Sequence, residues 1–546
     1  MTRIIETDDA SANTSTLYAM LPGDEFFGLL DQGTSDWIAV TLEAGKTYSF
    51  GAVGMESQAT GLTDPLLKLH AANGSLLAQN DDGGPGLFAD LSYTATTSGT
   101  YYIEVKALSS IGDGVYGLVA TEGDRPSYGI EMAGAVLYRP GSAWVDTPGT
   151  SVTLTWGVRA SGPAEDASGH AAPFSVLTDA QIAATVRALG NYSDVANLTF
   201  EQVNPGGTTN SATILVGAYT STTDGAGAYA QFPGSMAANK VAGDLWINND
   251  SVSRTNIPVG SYDNWVFLHE LGHAMGLAHP GDYNAAPGVS ITYQNSAQFV
   301  EDSNQYTVMS YFDATDTEAK APKSHCDTLM LDDIFALQQM YGANFGTRAG
   351  NDTYGFRSTI GGAYDFKVNK DPLLCIWDGA GTDTLNLSGF GKDQRIDLNQ
   401  GQFSDVGGFK GNLSIALGAE IENAIGGRGS DTIFGNELNN RLKGGKGVDF
   451  LVGEGGNDVM SGNGGADGFV FVAGYGHDKI TDFNLSQDFL SLTTDLWGGV
   501  NLTKTQMLNQ FAHAVGGDLV LDFGADQLTL MHISSTAGLA SQIVIS

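Results

Sequence analysis

The chain contains few cysteines, few basic residues and no long apolar run. Its two cysteines, Cys326 and Cys375, exclude a disulfide framework and a zinc site built from cysteines. They are explained either as two small buried hydrophobic residues or as one disulfide that joins the flanks of a domain boundary. No stretch approaches the roughly 18 apolar residues that a membrane-spanning helix needs, so we expect no membrane insertion.

Basic residues are scarce beside acidic ones. The chain has 25 Lys and Arg against 61 Asp and Glu, a formal net charge of −36. This balance argues against binding to nucleic acid or to anionic lipid, because both need a basic surface. The acids comprise 45 Asp and only 16 Glu, whereas a merely solvated surface would use both. Short Asp side chains beside many of the 73 Gly suit calcium-binding loops.

The first 21 residues also lack the features of a secretory signal peptide. They contain a single basic residue, Arg3, several acids and no apolar core. We therefore expect either an intracellular protein or export by a route that does not read the N-terminus.

The length of 546 residues predicts three or four domains. Residues 18–121 read as short strands separated by Gly, Asp and Asn turns, which favours a small antiparallel β-sandwich. Residues 122–149 form a connector punctuated by Gly and Pro. The predicted strands of the first domain include Trp37–Leu42, Thr47–Val53, Leu66–Ala71 and Tyr101–Lys106.

From Thr150 the pattern changes to mixed α/β. Helical spacing predicts a helix over Thr178–Leu189 with Thr178 or Asp179 as its cap, and Ser261 is suited to cap another. A further amphipathic helix is predicted over Asp332–Tyr341. The predicted strands of this region include Ala212–Gly217 and Asp244–Asn248.

The segment His269-Glu-Leu-Gly-His-Ala-Met-Gly-Leu-Ala-His279 predicts a metal site. His269 and His273 are four residues apart, so on a helix both imidazoles project from one face. Gly276 breaks that helix and lets His279 approach as a third ligand. Three nitrogen ligands leave one position of a zinc tetrahedron open, which is typical of a catalytic site. Glu270 lies beside the first ligand and can reach that open position.

The alternative is that these are ordinary helix residues. Three of the nine histidines fall within this short segment. The fixed letters of the pattern arise by chance in a chain of this composition with a probability of roughly one in 100,000. The sequence therefore favours the metal site.

The segment resembles the metzincin signature H-E-x-x-H-x-x-G-x-x-H, which is followed by a turn containing Met. Here Thr307-Val-Met-Ser-Tyr311 follows His279 and resembles the Met-turn of the serralysin family of secreted bacterial proteases. The resemblance covers about residues 150–546. Further similar stretches are His279-Pro-Gly-Asp-Tyr-Asn284, Gly243-Asp-Leu-Trp-Ile-Asn248 and Leu331-Asp-Asp-Ile334.

The resemblance implies roles for individual residues. Met309 is the apolar floor beneath the zinc, and Tyr311 is a movable zinc ligand that stabilises the oxyanion. Ala228, Tyr229 and Ala230 resemble the edge strand along which an extended substrate binds. Ordinary core packing, a buried hydrogen-bonded tyrosine and any exposed β edge are the respective alternatives.

The expected activity is hydrolysis of peptide bonds in extracellular proteins by metal-activated water, with Glu270 as general base and one catalytic zinc. The alternative is a non-enzymatic, calcium-binding repeat adhesin that carries a degenerate protease domain. A third interpretation is that the zinc supports only self-cleavage. The intact Glu270 favours the enzyme, because a degenerate domain has little reason to retain its base.

Residues 426–470 contain five consecutive units of nine residues. Gly426–Phe434 and Gly444–Val452 fit the calcium-binding pattern G-G-x-G-x-D-x-U-x, in which U is a large apolar residue. The other three units keep the period, with Asn440 in place of Asp in one of them. A flexible linker is the alternative, but linkers do not hold a period of nine. The loop positions predicted to bind calcium are Gly427, Gly429, Asp431, Asn436, Asn440, Gly445, Gly447, Asp449, Gly456, Asp458, Gly465 and Asp467.

By the resemblance, residues 150–345 are an α/β metzincin protease domain, and 346–475 are a parallel β-roll of these repeats with several structural calcium ions. Residues 476–546 are a C-terminal β region that holds a type I secretion signal, which implies the type I secretion apparatus as a partner. We expect a secreted monomer. Upstream positions that resemble further calcium sites of the family are Arg348, Gly350, Asp352, Asp378, Ala380, Gly381, Asp383, Glu420 and Glu422.

Residues 18–121 resemble the pre-peptidase C-terminal domain of many secreted proteases. The similar stretches are Asp64-Pro-Leu-Leu67, Asn80-Asp-Asp-Gly83 and Ser98-Gly-Thr-Tyr-Tyr-Ile-Glu104. Calcium binding, substrate binding, a removable pro-region and a spacer are all open as its role.

Overall fold

The computed structural model describes residues 2–31, 33–55, 62–108, 114–138, 142–162, 173–222, 225–234, 241–286, 288–321 and 325–546. The chain divides into two compact units. The first runs to Thr317 and includes the segment that ends at Asn344, and the second comprises Phe345–Ser546 with a short piece that begins at Glu318.

The first 122 residues build two five-stranded sheets in the described part of the chain, with orders β1-β3-β10-β5-β8 and β2-β4-β9-β6-β7. Side chains from both sheets, such as Phe26, Ile38 and Leu118, form one fully buried cluster. All four predicted strands are confirmed, with ends shifted by one or two residues. The strands are β1 Arg3–Ile5, β2 Ala19–Met20, β3 Glu25–Leu30, β4 Asp36–Leu42, β5 Thr47–Gly54, β6 Pro65–His70, β7 Leu76–Asn80, β8 Ala89–Thr94, β9 Gly99–Ala107 and β10 Gly114–Glu122.

Segment 122–149 contains a helix, α1 (Ile130–Leu137), that the sequence analysis did not predict. Most of its side chains are buried, so its apolar residues do not alternate with the polar residues that would reveal a helical period. The amide of Gly129 donates to Glu25 Oε1 at 2.7 Å, and Tyr128 packs against Gly51 and Phe299. The segment therefore joins the first two sheets to the region that follows.

The next region contains a sheet of order β13-β11-β14-β16-β15, with β12 paired to β14. Strands β11, β13, β14 and β16 run parallel, and β15 is an antiparallel edge strand. The strands are β11 Val152–Val158, β12 Phe174–Ser175, β13 Leu198–Gln202, β14 Ile214–Tyr219, β15 Ala228–Ala230 and β16 Leu245–Asn248.

The predicted helix caps of this region are confirmed. Thr178 and Gln181 form a capping box at the start of α2, and Ser261 Oγ accepts from the amide of Asn264 at 3.2 Å at the start of α3. Helix α2 continues past the predicted end because Tyr192 and Val195 remain on its buried face. The helices are α2 Asp179–Val195, α3 Tyr262–Ala274, α4 Tyr293–Ser296 and α5 Leu331–Tyr341, with a 3-10 turn at Ala314–Asp316.

The second unit consists almost entirely of short strands. Its sheets have the orders β17-β19-β23-β25-β27-β29-β33-β32-β31, β20-β24-β26-β28-β30-β34 and β18-β22-β21. The strands are β17 Thr353–Gly355, β18 Leu374–Ile376, β19 Thr384–Asn386, β20 Arg395–Asp397, β21 Phe403–Ser404, β22 Leu413–Ile415, β23 Asn423–Ile425, β24 Thr432–Phe434, β25 Arg441–Lys446, β26 Phe450–Val452, β27 Val459–Gly464, β28 Gly468–Phe471, β29 His477–Ile480, β30 Phe489–Leu492, β31 Ala512–Val515, β32 Asp518–Asp522, β33 Gln527–Leu530 and β34 Ile543–Ile545. Helices α6 Lys504–Phe511 and α7 Leu539–Gln542 follow the repeats, and 3-10 turns lie at Gly362–Tyr364 and Thr494–Trp497.

Strands of the repeat pair in parallel with the strand two nonapeptides away. Ile433 is in register with Leu451, and Leu451 with Phe469, while Leu442 is in register with Met460 in the other sheet. All five of these apolar residues are fully buried. The two sheets therefore enclose a core that contains one large apolar side chain from each nonapeptide.

Loop carboxylates of alternate nonapeptides form ladders along each side of this core. Asp449 Oδ1 accepts from the amide of Asp431 at 2.8 Å, and Asp467 Oδ1 accepts from the amide of Asp449 at 2.9 Å. On the other side, Asp458 Oδ1 accepts from the amide of Asn440 at 2.8 Å. Each carboxylate is thus held by the backbone of the preceding loop on its side.

Both ladders continue past the five predicted units. The amide of Asp467 donates to Asp488 at 2.9 Å, and the amide of Asp458 donates to Asp478 at 2.9 Å. The spacing of these two acceptors departs from the double period of the repeat, so the sequence pattern does not predict them.

Cys326 and Cys375 are both buried, and neither takes part in a disulfide, so the alternative of one bridge at a domain boundary is wrong. Among the described residues, no helix combines the length and the apolar character that crossing a membrane requires.

Candidate metal centre and cleft

Three imidazoles converge at the end of α3. His269 and His273 lie one turn apart on the helix, and Nε2 of each is 3.1 Å from Nε2 of His279. Zinc–nitrogen bonds of about 2.0–2.1 Å place tetrahedral ligands about 3.3–3.4 Å apart. The separations therefore fit three ligands of one zinc ion.

The helix ends in the way that the sequence predicts. Gly276 follows its last turn with φ +99°, a left-handed conformation in which a side chain would also clash with the carbonyl of Ser142. The chain then reverses and brings His279 back to the two helical histidines. A glycine is thus required at this position for the third imidazole to arrive.

Each imidazole is oriented by a backbone carbonyl. Nδ1 of His269, His273 and His279 lies 2.9, 2.7 and 2.8 Å from the carbonyl oxygens of Val308, Leu277 and Tyr283. Because a carbonyl only accepts, Nδ1 carries the proton and Nε2 keeps its lone pair. The donor set thus fits zinc without rearrangement.

Burial shifts the pKa of two groups at this site, His269 and Glu270. It lowers the pKa of His269 well below its usual value, and the neighbouring His273 lowers it further. Burial also raises the pKa of Glu270 to about 8, and its Oε2 accepts no hydrogen bond from any described residue. A cation at the three imidazoles would favour the carboxylate form of Glu270, since opposite charge lowers the pKa of an acid.

Met309 is fully buried beneath the helix. Its sulfur packs against Gly272, which lies between the two helical histidines and leaves no room for a side chain there. The structure thus places Met309 under the turn of α3 that carries His269 and His273.

Tyr311 lies beside the imidazoles. Its ring centroid is 4.6 Å from that of His279 and 5.5 Å from that of His269. Burial and the charge of Glu270 raise the pKa of its phenol, so the phenol is protonated at neutral pH. It is a hydrogen-bond donor at the open side of the site.

A cleft crosses the three histidines. On one side of the centre it is lined by Ala228, Tyr229 and Ala230 of the edge strand with Glu270 and Tyr311. The structure therefore places the predicted substrate strand beside the predicted metal ligands.

On the other side of the three histidines, the cleft is lined by residues that the sequence did not indicate. Tyr262, Trp265 and His325 line it together with Val289 and Ile291. His325 stacks on Trp265 with ring centroids 4.9 Å apart. A lone His far from the H-E-x-x-H segment gives no signal in one sequence, so only the fold reveals its position.

Asp333 at the start of α5 holds the Met-turn. Its Oδ2 accepts from the amides of Val308 and Met330 at 2.8 and 2.9 Å, and its Oδ1 accepts from Thr307 Oγ1 at 2.6 Å. The carbonyl of Val308 in turn accepts from His269 Nδ1. Asp333 therefore positions the predicted ligand His269 through Val308, a role that the sequence did not indicate.

A second group of possible ligands lies in the other unit. Ligand atoms of Asp352, Asp378 and Asp383 lie within 4.8 Å of one another, and the amide of Asp383 donates to Glu422 Oε2 at 2.6 Å. Gly350 and Gly381 approach each other at the same place. Glu420 is exposed and is not part of this group, and the side chain of Arg348 donates to the carbonyl of Trp377 at 2.7 Å.

The predicted loop position Asn440 differs from its aspartate counterparts. Its Nδ2 donates to Asn436 Oδ1 at 2.8 Å and to the carbonyl of Glu422 at 3.0 Å. The amide of Asn440 thus donates hydrogen bonds at a loop position where the other loops have a carboxylate.

We predict that Asp333→Asn weakens zinc retention by about ten- to a hundredfold, because an amide cannot accept at both oxygens and Val308 loses its anchor. The measurement is competition between the protein and a chromogenic zinc chelator. Asp332→Asn is the matched control, since both carboxylate oxygens of Asp332 are buried without a hydrogen-bond donor among the described residues. Equal zinc retention by the two variants would contradict the role of Asp333.

Comparison with known proteins gives consistent matches. The matrixin model matches residues 171–310, and the model of the C-terminal domain of peptidase M10 serralysins matches residues 343–545. The metallopeptidase AprA of Pseudomonas marginalis is 41% identical over 448 residues, which cover 79% of this chain and 91% of the relative. A serralysin of Photorhabdus luminescens is 42% identical over 363 residues, which cover 64% and 73%. Serralysin G of Dickeya chrysanthemi is 41% identical over 385 residues, which cover 68% and 79%. The chain therefore belongs to the serralysin family of metalloproteases.

Proposed function

We propose that the chain is a secreted, zinc-dependent endopeptidase that hydrolyses peptide bonds of extracellular proteins. The observation that carries the proposal is the convergence of three correctly oriented imidazoles with Glu270 in a cleft beside an exposed strand edge. Membership of a family of metalloproteases supports the same conclusion.

His269, His273 and His279 hold the zinc ion. When bound, zinc supplies a Lewis acid that acidifies water and polarises the scissile carbonyl. Backbone carbonyls that accept from Nδ1 fix the orientation of the three imidazoles. The ligand geometry is therefore set before any substrate arrives.

Glu270 is the general base. It follows His269 on α3, and its buried Oε2 has no competing donor among the described residues. It removes a proton from the attacking water and returns it to the leaving amine. Burial makes this carboxylate more basic than an exposed one, which suits proton transfer near neutral pH.

Tyr311 stabilises the oxyanion. Its phenol lies in the cleft and is protonated, so it can donate to the oxygen on which negative charge develops. The substrate backbone pairs with the edge strand β15, which comprises Ala228, Tyr229 and Ala230. Because β15 is the last strand of its sheet, one of its two edges is left for the substrate, and its residues line the cleft.

The non-enzymatic alternative is not favoured. A degenerate protease domain would have no reason to keep the base, the three ligands and the Asp333 network together. Self-cleavage alone is also less consistent with a cleft that is open on both sides of the metal-binding residues.

Calcium is the proposed structural cofactor of the second unit. Burial, Asp431 and Asp467 raise the pKa of Asp449 to about 7, and none of the described residues donates a hydrogen bond to its Oδ2. The metal-free fold thus loses stability as the pH rises through that value, since the unfolded carboxyl ionises freely. A cation that bridges the loops removes this penalty.

The domain limits that we propose are 18–121, 122–149, 150–345, 346–475 and 476–546. The first is a sandwich like the pre-peptidase C-terminal domain, and the fourth is a β-roll that binds calcium. The last presents the signal for type I secretion. The protein acts as a monomer on protein and peptide substrates.

Glu270→Gln should retain about one zinc ion per chain and lose at least about a hundredfold in kcat, because the isosteric amide cannot accept the proton. Hydrolysis of casein and zinc content measured on the same sample test this. His273→Ala is the comparison, since it removes a ligand and should lose the metal. Near-normal proteolysis by Glu270→Gln would refute the proposed function.

Tyr311→Phe should lower kcat by roughly ten- to a thousandfold with little change in KM or melting temperature. The phenyl ring keeps its packing against His279 while the donor to the oxyanion is lost. Steady-state kinetics with a peptide substrate give both constants. A change confined to KM would assign Tyr311 to substrate binding instead.

Asp449→Ala should raise the calcium concentration at which the second unit folds, because this residue bridges the loops before and after it. Hydrogen exchange of peptides from the full chain, followed during calcium titration, measures the midpoint. Asp371→Ala is the control, since Asp371 is exposed and outside the ladders. In chelator, wild-type protection should be greater at pH 5 than at pH 8. Protection that does not depend on calcium would contradict this role.

A further inference from the structure

One wall of the cleft is formed by the chain that follows His279. The described residues of this wall segment are 281–286 and 288–300. Asp282 lines the cleft beside the edge strand, and Ile291 lines it on the other side of the three histidines. The described part of the wall segment contains the single-turn helix α4 and no strand. Its position must therefore be fixed by contacts with other parts of the chain.

A loop of the first domain supplies one of these contacts. The amide of Gly86, between β7 and β8, donates to Asp282 Oδ1 at 3.1 Å. The loop is closed behind this amide, because Gly84 donates to the carbonyl of Phe88 at 2.9 Å. The amide of Asp282 in turn donates to Gln298 Oε1 at 2.8 Å. Asp282 thus connects the first domain with both ends of the wall segment.

The connector holds the second half of the wall segment. The guanidinium of Arg125 donates to the carbonyl of Gln294 at 2.7 Å and lies 4.9 Å from the ring centroid of Tyr293. The amide of Val300 donates to the carbonyl of Pro126 at 3.0 Å, and its own carbonyl accepts from Tyr293 Oη at 2.7 Å. Two consecutive residues of the connector therefore fix this half from outside the cleft.

Aromatic contacts continue from the wall segment to the candidate catalytic residues. The ring of Tyr293 meets Phe312 edge to face at 5.7 Å, and Phe312 lies 5.1 Å from Tyr283. Tyr283 in turn lies 5.1 Å from Tyr311 and is stacked on His279 at 5.4 Å. The position of the wall segment is thus coupled by packing to the centre of the cleft.

Tyr283 has a second support within the protease region. Its phenol donates to Asp302 Oδ1 at 2.9 Å, and Ser310 Oγ donates to the same oxygen at 2.7 Å. Asp302 is fully buried. Loss of the outer contacts should therefore displace the rim of the cleft and leave in place the Tyr283 carbonyl that orients His279.

We propose that the first domain and the connector position the wall segment and thereby control how an extended substrate binds. The proposal rests on the proposed peptidase activity. Asp282 and Arg125 are the positioning residues, because each ties the wall segment to its anchor outside the cleft. A wall that is ordered before the substrate arrives lowers the entropic cost of binding. The first domain is thus part of the substrate cleft rather than a spacer or a removable pro-region.

Asp282→Ala and Arg125→Ala should each raise KM for a long fluorogenic peptide by about three- to tenfold, because each removes one anchoring contact. A loosened wall weakens binding of the substrate and of the transition state equally, so kcat, zinc content and melting temperature should stay nearly unchanged. Steady-state kinetics of the full-length, zinc-loaded protein in calcium give both constants. Hydrogen exchange should show lower protection of peptides from the wall segment in both variants.

Two further variants are the controls. Asp282→Asn should behave like the wild type, because the side-chain oxygen of Asn still accepts from Gly86. Arg3→Ala is the matched control for Arg125→Ala. Arg3 forms a 2.8 Å ion pair with Glu131 of α1, so it contacts the connector away from the wall segment. This variant should keep the wild-type KM and the wild-type protection.

Unchanged KM and unchanged protection in both alanine variants would overturn the proposal. An equal rise in KM for Asp282→Asn and Asp282→Ala would also overturn it, since the charge of Asp282 would then act on the substrate directly. Loss of zinc from either alanine variant would assign the wall segment to the metal site instead. If the wild type hydrolyses no peptide, the proposed function fails, whereas the protection data still decide whether Asp282 and Arg125 position the wall segment.

Discussion

Repulsion between carboxylates that are held close together is the constraint on which much of this structure depends. The chain carries 61 acidic side chains, and many of those in loops are buried rather than solvated. In the repeat, backbone amides hold each aspartate against the next one of its ladder, which Asp449 shows most clearly. Such loops have little apolar content to offset this repulsion, which is the physical reason for proposing calcium as a structural cofactor of the second unit.

At the proposed zinc site the fold must orient three imidazoles. Carbonyls from three separate segments accept from the three imidazoles, and one of these, at Val308, is fixed by Asp333 from the start of α5. The buried carboxylate of Asp333 therefore helps to position His269, although it does not itself reach the three imidazoles. The same burial that would destabilise an isolated acid makes this hydrogen-bonded one a rigid support.

The first domain is integrated with the protease region through α1 and the residues before it. Glu25 accepts from the amide of Gly129, and Glu301 accepts from Ser127 Oγ at 2.6 Å and from the amide of Tyr128 at 2.9 Å. None of these residues belongs to the metal centre. The contacts link the stability of the two parts while leaving the proposed chemistry to the protease region.

The sequence by itself determined the features that depend on local spacing. A separation of four residues places His269 and His273 on one helix face, Gly276 supplies the backbone conformation that ends the helix, and Ser261 and Thr178 mark helix starts. The period of nine likewise gives the register of the buried apolar residues, such as Ile433 with Leu451.

Only the tertiary structure decided contacts between distant segments. No local sequence pattern predicts these contacts. They include the hydrogen bond from Val308 to Asp333, the stacking of His325 on Trp265 and the burial of Asp36 beside Glu6. Helix α1 has no helical period in the sequence because it is buried nearly all round. Asp478 and Asp488 do not fit the period of nine because the loop length changes where the repeat ends. The spacing of residues within one segment predicts which of them share a face of a helix or strand. The contacts above arise from the packing of segments that are distant in the sequence, so local spacing does not predict them.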